Sequence, residues 1–219
     1  MLISHTHRFV YLKTIKTAST STEVLFQELC MPPQQTPQDW EEWHATDEVI
    51  TKYGVVGERM KSAESRTFFN HMCAKQVIAT VGLDLWSSYF KFANVRNPWD
   101  KVVSHFFYYR SWAEIDPHLS LNSAFEAFVA SYKRWPVEEL LCKQEYEMDG
   151  YIRYEHLQSD IADMVARLSV CIPQHDMPKL KTGLRPSPFE NYRRLYGLQE
   201  RLRIEGLYHD WIERFGYKF

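Results

Sequence analysis

Lys16 stands at the head of a run of hydroxyls, in which Thr17, Ser19, Thr20, Ser21 and Thr22 surround a single alanine, Ala18. A lysine followed by small, hydroxyl-bearing residues can hold an anion when the backbone N–H groups of the same stretch turn outward. The flanking sequence supplies that condition. Phe9, Val10, Tyr11 and Leu12 have the bulk and β-branching of a short buried strand. Past the turn, Glu23, Val24, Leu25, Phe26, Glu28 and Leu29 fall at helical spacing, and Ser19, Thr20 or Ser21 is placed to cap that helix. Strand, hydroxyl turn and helix N-terminus together predict a phosphate site, with the helix dipole and Lys16 both favouring negative charge. The plain alternative is a helix cap and nothing more. The turn is not a Walker A loop, which needs glycines that are absent here.

A second segment weighs against the plain reading. Phe90, Phe92, Ala93 and Val95 predict another buried strand, closed by Arg96, Asn97 and Pro98. Asp100 then opens a helix carrying Val102, Val103, Phe106 and Phe107, with Ser104 inside it. An arginine at a strand end, ahead of a helix, is suited to a second anionic group.

Together the two segments resemble the sulfotransferases that use 3′-phosphoadenosine 5′-phosphosulfate (PAPS). Ile15-Lys16-Thr17-Ala18-Ser19-Thr20-Ser21 is similar to the P-K-T-A-G-T-S loop of the carbohydrate members, and Val95 to Ser104 is similar to their V-R-N-P-(aromatic)-D-(basic)-x-V-S segment. The resemblance implies that Lys16 to Ser21 bind the 5′-phosphosulfate, with Lys16 neutralising the leaving phosphate. It implies that Arg96 and Ser104 bind the 3′-phosphate, and that Arg185, in the glycine-containing turn from Lys181 to Pro186, adds a phosphate contact. It places a histidine base between the two motifs, for which His44 is the candidate, competing with Glu42, Glu58 and His71. Histidine suits the task because its ordinary pKa of about 6.5 lets it take an alcohol's proton near neutrality. The implied acceptor is a hydroxyl, on a glycan or glycosylated small molecule, and no metal is required. Ile15 and Ser19 stand where the family has proline and glycine; a serine at Ser19 requires a compatible backbone or adds a hydroxyl contact.

The elements that must position these residues alternate strand and helix, which predicts an α/β fold: a P-loop-like central parallel sheet flanked by helices, one domain over residues 1–219. Ligands in such sheets bind beyond the carboxyl ends of the strands, where both motifs fall. Further expectations are a short helix over 47–54, a helix over 66–81, an amphipathic helix around Ala124 to Tyr132, a strand at Tyr151 to Tyr154 and a helix from Asp160 to Leu168. Arg153 and Glu155 are expected to pair, and Leu198 to Phe215 to form a terminal helix ending at Gly216.

The net charge of −2 excludes broad nucleic-acid or anionic-membrane binding as the main activity. No stretch reaches the roughly 18 apolar residues of a membrane span. Cys30, Cys73, Cys142 and Cys171 show no C-x-x-C spacing, which suits reduced thiols and a cytoplasmic setting. Two other functions fit the pattern less closely. A P-loop nucleotide kinase needs Walker A glycines and an acidic Mg²⁺ ligand at a strand end, where Arg96 stands. A non-catalytic nucleotide-binding protein of the same fold needs only the loop.

Overall fold

The computed structural model describes residues 1–33, 47–59, 66–110, 120–172 and 183–219. The chain gathers into two compact units, the first comprising residues 1–14, 18–95 and 136–180, the second residues 15–17, 96–135 and 181–219.

The first unit holds a six-stranded mixed sheet. Its strands are β1 (Leu2–Ser4), β2 (Phe9–Leu12), β3 (Val49–Ile50), β4 (Gly54–Val56), β5 (Phe90–Val95) and β6 (Gly150–Arg153), in the order β3-β4-β1-β2-β5-β6. β2, β5 and β6 run parallel, as the alternating strand and helix pattern predicts, and β1, β3 and β4 extend the sheet as an antiparallel flank. The parallel centre forms because β5 is buried along nearly its whole length, with Phe92, Ala93 and Val95 fully enclosed. Phe92 packs between Phe9 at 5.5 Å and Phe26 at 5.2 Å between ring centroids, and burying one such ring contributes about 2–3 kcal/mol. Helices α1 (Ser19–Phe26), α2 (Ala74–Val81), α3 (Leu83–Ser88), α6 (Pro136–Leu141) and α7 (Leu157–Leu168) complete this unit. The second unit contains α4 (Pro98–Arg110), α5 (Leu121–Ser131), α8 (Leu198–Leu207) and α9 (His209–Phe215). Its core joins Phe106 to Phe125 at 5.2 Å and encloses Tyr208 and Trp211.

Several expectations are corrected. Residues 47–54 lead into the β3–β4 hairpin rather than a helix: Val49, Ile50, Val55 and Val56 pair in register, and the Thr51 hydroxyl accepts from the Tyr53 and Gly54 N–H groups to close the turn. The apolar run was too short to fix its period, and β-branching prevailed. Gly54 is required there, because a Cβ would collide with the Ile3 carbonyl. Residues 66–81 are helical only from Ala74, ending at Gly82 with φ 85°. The terminal helix is broken at Tyr208 into α8 and α9, leaving Leu198 and Leu202 exposed while Trp211 is buried. Arg153 makes a salt bridge to Asp160 on α7 at 2.8 Å.

Candidate functional site

β2 leads directly into the hydroxyl turn, and Thr14 and Ser19 tie its two ends together. The Ser19 hydroxyl donates to the Thr14 carbonyl, and the Thr14 hydroxyl donates to the Asn94 carbonyl at 2.7 Å on neighbouring β5. Within the turn Lys16 (φ 58°) and Ala18 (φ 61°) are left-handed, while Thr17 between them is not. Such alternation turns successive N–H groups toward one side and makes an anion-binding concavity. Ala18 is the N-cap of α1 and makes no side-chain cap bond, so the expected caps Ser19, Thr20 and Ser21 lie inside the helix instead. The first N–H groups of α1 therefore meet no capping oxygen from Ala18, and the dipole gives that end a partial positive charge. The replacement of glycine by serine at Ser19 demands no left-handed backbone, since that conformation falls on Lys16 and Ala18.

Beneath the turn, sequence reasoning missed a supporting layer. Buried Asn94 accepts from the Tyr11 hydroxyl at 2.7 Å and donates to the Thr22 hydroxyl at 3.0 Å. Lys13, only three residues before Lys16, is withdrawn from any ligand. Its Nζ lies 2.7 Å from Glu23, which also takes the Arg59 guanidinium at 2.7 Å and the Met1 amino group, all fully buried. Burial alone would raise the Glu23 carboxyl, but Arg59, Lys13 and the Met1 amine hold it well below the usual carboxylate range. A glutamate directly after the hydroxyl run was the available sequence signal, and nothing in one sequence marks its partners.

In the second unit, Arg96 NH1 donates to the Lys16 carbonyl at 2.9 Å, so both recognised segments meet at the lysine's own backbone. Arg96 also pairs with Asp100 at 2.6 Å, and Arg185 pairs with the other oxygen of Asp100 at 2.6 Å. Asp100 thus gathers Arg96 and Arg185 around one carboxylate. Arg185 further donates to the Phe189 and Glu190 carbonyls, which fixes the chain after Gly183. α4 starts at Pro98, two residues before Asp100, where the sequence placed its opening. Asn97 caps it, accepting from Trp99 and Asp100 N–H groups at 3.1 and 3.3 Å, with Pro98 as first helical residue. Ser104 lies half-buried on α4.

Two aromatic neighbours on α4 complete this unit's site. Lys16 Nζ sits 4.1 Å from the centroid of the Tyr108 ring. His105, whose Nδ1 is 3.3 Å from the Tyr132 hydroxyl, is pushed down to about 3 by burial and by the cations of Lys101 and Lys16.

His44 and Glu42 lie outside the described residues. Of the competing bases, Glu58 is buried and accepts from Arg66 at 2.8 Å. His71 is left-handed (φ 59°), and its Nδ1 lies 2.9 Å from the Lys13 carbonyl. A carbonyl only accepts, so Nδ1 carries the proton and Nε2 the lone pair. Burial, with Lys13 nearby, keeps this imidazole well below its ordinary pKa and hence neutral.

No protein-family model matches the chain. An uncharacterized protein of Archaeoglobus fulgidus is 28% identical over 123 residues, spanning 52% of this chain and 92% of its own. The mouse sulfotransferase SULT7A1, solved as a complex with PAP, superposes with a TM-score of 0.52 at 14% identity, covering 96% of this chain and 86% of that one. The chain has the fold of a sulfotransferase. The α/β architecture expected from the alternating elements is therefore borne out, with the antiparallel flank as the addition. Among the described residues no helix is long and apolar enough to cross a membrane.

Proposed function

We propose that residues 1–219 act as a PAPS-dependent sulfotransferase that transfers a sulfuryl group to a hydroxyl, on a carbohydrate or glycosylated small molecule. The observation that carries this reading is the Arg96-to-Lys16 carbonyl bond, which couples the two motif segments. The fold likeness to a sulfotransferase solved with PAP supports it. The residues fit the donor's chemistry: a left-handed turn over an uncapped helix start suits one phosphate, and the Arg96–Asp100–Arg185 set suits another.

In this reading Lys16 faces the leaving 5′-phosphate, and the N–H groups and hydroxyls of Thr17, Ala18, Ser19, Thr20 and Ser21 hold that phosphate. Arg96, Ser104 and Arg185 hold the 3′-phosphate. The acceptor oxygen forms its bond to sulfur as the bond from sulfur to the bridging oxygen breaks, and the electron pair leaves on the phosphate, where Lys16 neutralises it. Positioning and charge do most of this work.

A histidine takes the acceptor's proton. His44 is the candidate from motif order. His71 is a second reading, favoured by the hydrogen bond to the Lys13 carbonyl that fixes its proton on Nδ1. His44→Ala and His71→Ala separate the two: the variant that loses turnover while still binding 3′-phosphoadenosine 5′-phosphate (PAP) identifies the base.

The reading is tested by titrating the protein calorimetrically with PAP, 5′-AMP and ATP with Mg²⁺, for wild type and Arg96→Ala. Tight binding of PAP alone, weakened in the variant, is expected. ATP binding as well as PAP would replace it with the kinase reading.

A further inference from the structure

We propose that Tyr108 is a positioning residue for Lys16, its ring face holding the lysine's ammonium at one place on α4; this rests on the reading of Lys16 as the cation at the leaving phosphate. The Nζ lies 4.1 Å from the ring centroid, well inside the roughly 6 Å over which a cation is drawn to an aromatic face. The other end of the same residue is also fixed, with its carbonyl held by Arg96 at 2.9 Å and its backbone left-handed. Lysine is otherwise a flexible four-carbon stem with many rotamers. Anchoring both ends replaces that ensemble with one starting position.

The position is a meaningful one. Tyr108 follows Ser104 by four residues on α4, so the two share a helix face. Ser104 in turn adjoins His105, whose Nδ1 lies 3.3 Å from the Tyr132 hydroxyl. Tyr108 is half-buried and adjoins exposed Tyr109, at the end of the helix where core packing gives out. Phe106 and Phe107, by contrast, are enclosed in the core.

The test compares wild type, Tyr108→Phe, Tyr108→Leu and a variant carrying pentafluorophenylalanine at 108, which keeps the ring's shape and reverses the charge of its face. Acylation of Lys16 by a water-soluble N-hydroxysuccinimide acetate is followed by peptide mass spectrometry. It is expected to quicken at least threefold in the leucine and fluorinated variants and to stay near wild type with phenylalanine. PAP released from PAPS should fall about tenfold in kcat for the same two variants, with PAP affinity within about threefold of wild type and phenylalanine restoring most of the rate. Unchanged acylation or unchanged kcat in the fluorinated variant would overturn the proposal, and that variant answers even if leucine unfolds the chain. Failure of wild type to bind PAP would instead overturn the sulfotransferase reading, leaving the acylation result to decide the Lys16–Tyr108 contact by itself.

Discussion

Two constellations in this chain are alike in kind, a carboxylate between basic groups, and differ in exposure. Glu23 lies between Lys13 and Arg59, with side chains 0%, 2% and 3% exposed. Asp100 lies between Arg96 and Arg185, with side chains 15%, 6% and 18% exposed. The first is closed. Its charges are matched inside the protein, water is excluded, and separating them leaves a buried charge without compensation. The second sits where solvent reaches both the carboxylate and one arginine, so an entering anion can share the guanidiniums with Asp100 at modest cost. Basic residues close in sequence, such as Lys13 and Lys16, therefore differ in role because of what surrounds them.

The largest effect is expected at Lys16, outside both constellations. Lys16→Met should lower PAP release from PAPS by about 10²–10³-fold, the range for removing one stabiliser of transition-state charge, with the far-ultraviolet circular dichroism unchanged. Lys13→Met in the same assay should act through folding instead. Next comes Glu23→Gln, which leaves Lys13 and Arg59 buried without their carboxylate. It should cost about 3–5 kcal/mol in urea denaturation. If Glu23→Gln proves mild, the contrast between closed and open constellations fails.

Arg96→Ala should weaken PAP binding by about 10–100-fold by calorimetry, and Arg185→Ala by less, since Arg185 is also engaged by the Phe189 and Glu190 carbonyls. A pH series adds a histidine beside each region. His71 and His105 have folded pKa values depressed below the ordinary 6.5, His105 to about 3. A depressed imidazole means that the unfolded chain binds protons which the folded chain refuses. Both contributions are whole above pH 6.5 and decline as pH falls, that of His105 until about pH 3 at a rate of about 1 kcal/mol per pH unit. Denaturation of His105→Asn across that window should show a flatter acid limb than wild type. The smallest pair has opposite signs: Ala18→Gly should stabilise by about 0.5–1 kcal/mol because Ala18 is left-handed, whereas Ser19→Gly should destabilise by a similar amount because Ser19 is helical. Thermal melts distinguish them.

Local sequence sufficed where pattern and chemistry agreed over a sustained stretch. Phe9–Leu12, Phe90–Val95 and the helix carrying Val102, Val103, Phe106 and Phe107 are present because their apolar periods admit one structure. Val49–Ile50 was misread because two β-branched residues have no measurable period, and pairing with β4 settled them. The terminal helix was misread because periodicity continues through Tyr208, while the burial of Tyr208 and Trp211 divides it.

The same division holds at the site. Residue types and spacing by themselves determined that a lysine, a hydroxyl turn and a strand-end arginine are present in an order suited to two phosphates. Only the tertiary structure decided what each cation meets. Lys13 is neutralised by a glutamate 10 residues away, Arg96 reaches a carbonyl 80 residues away, and Lys16 rests on an aromatic ring of α4. Charge balance and burial are properties of neighbours in space, and the linear order of residues does not contain them.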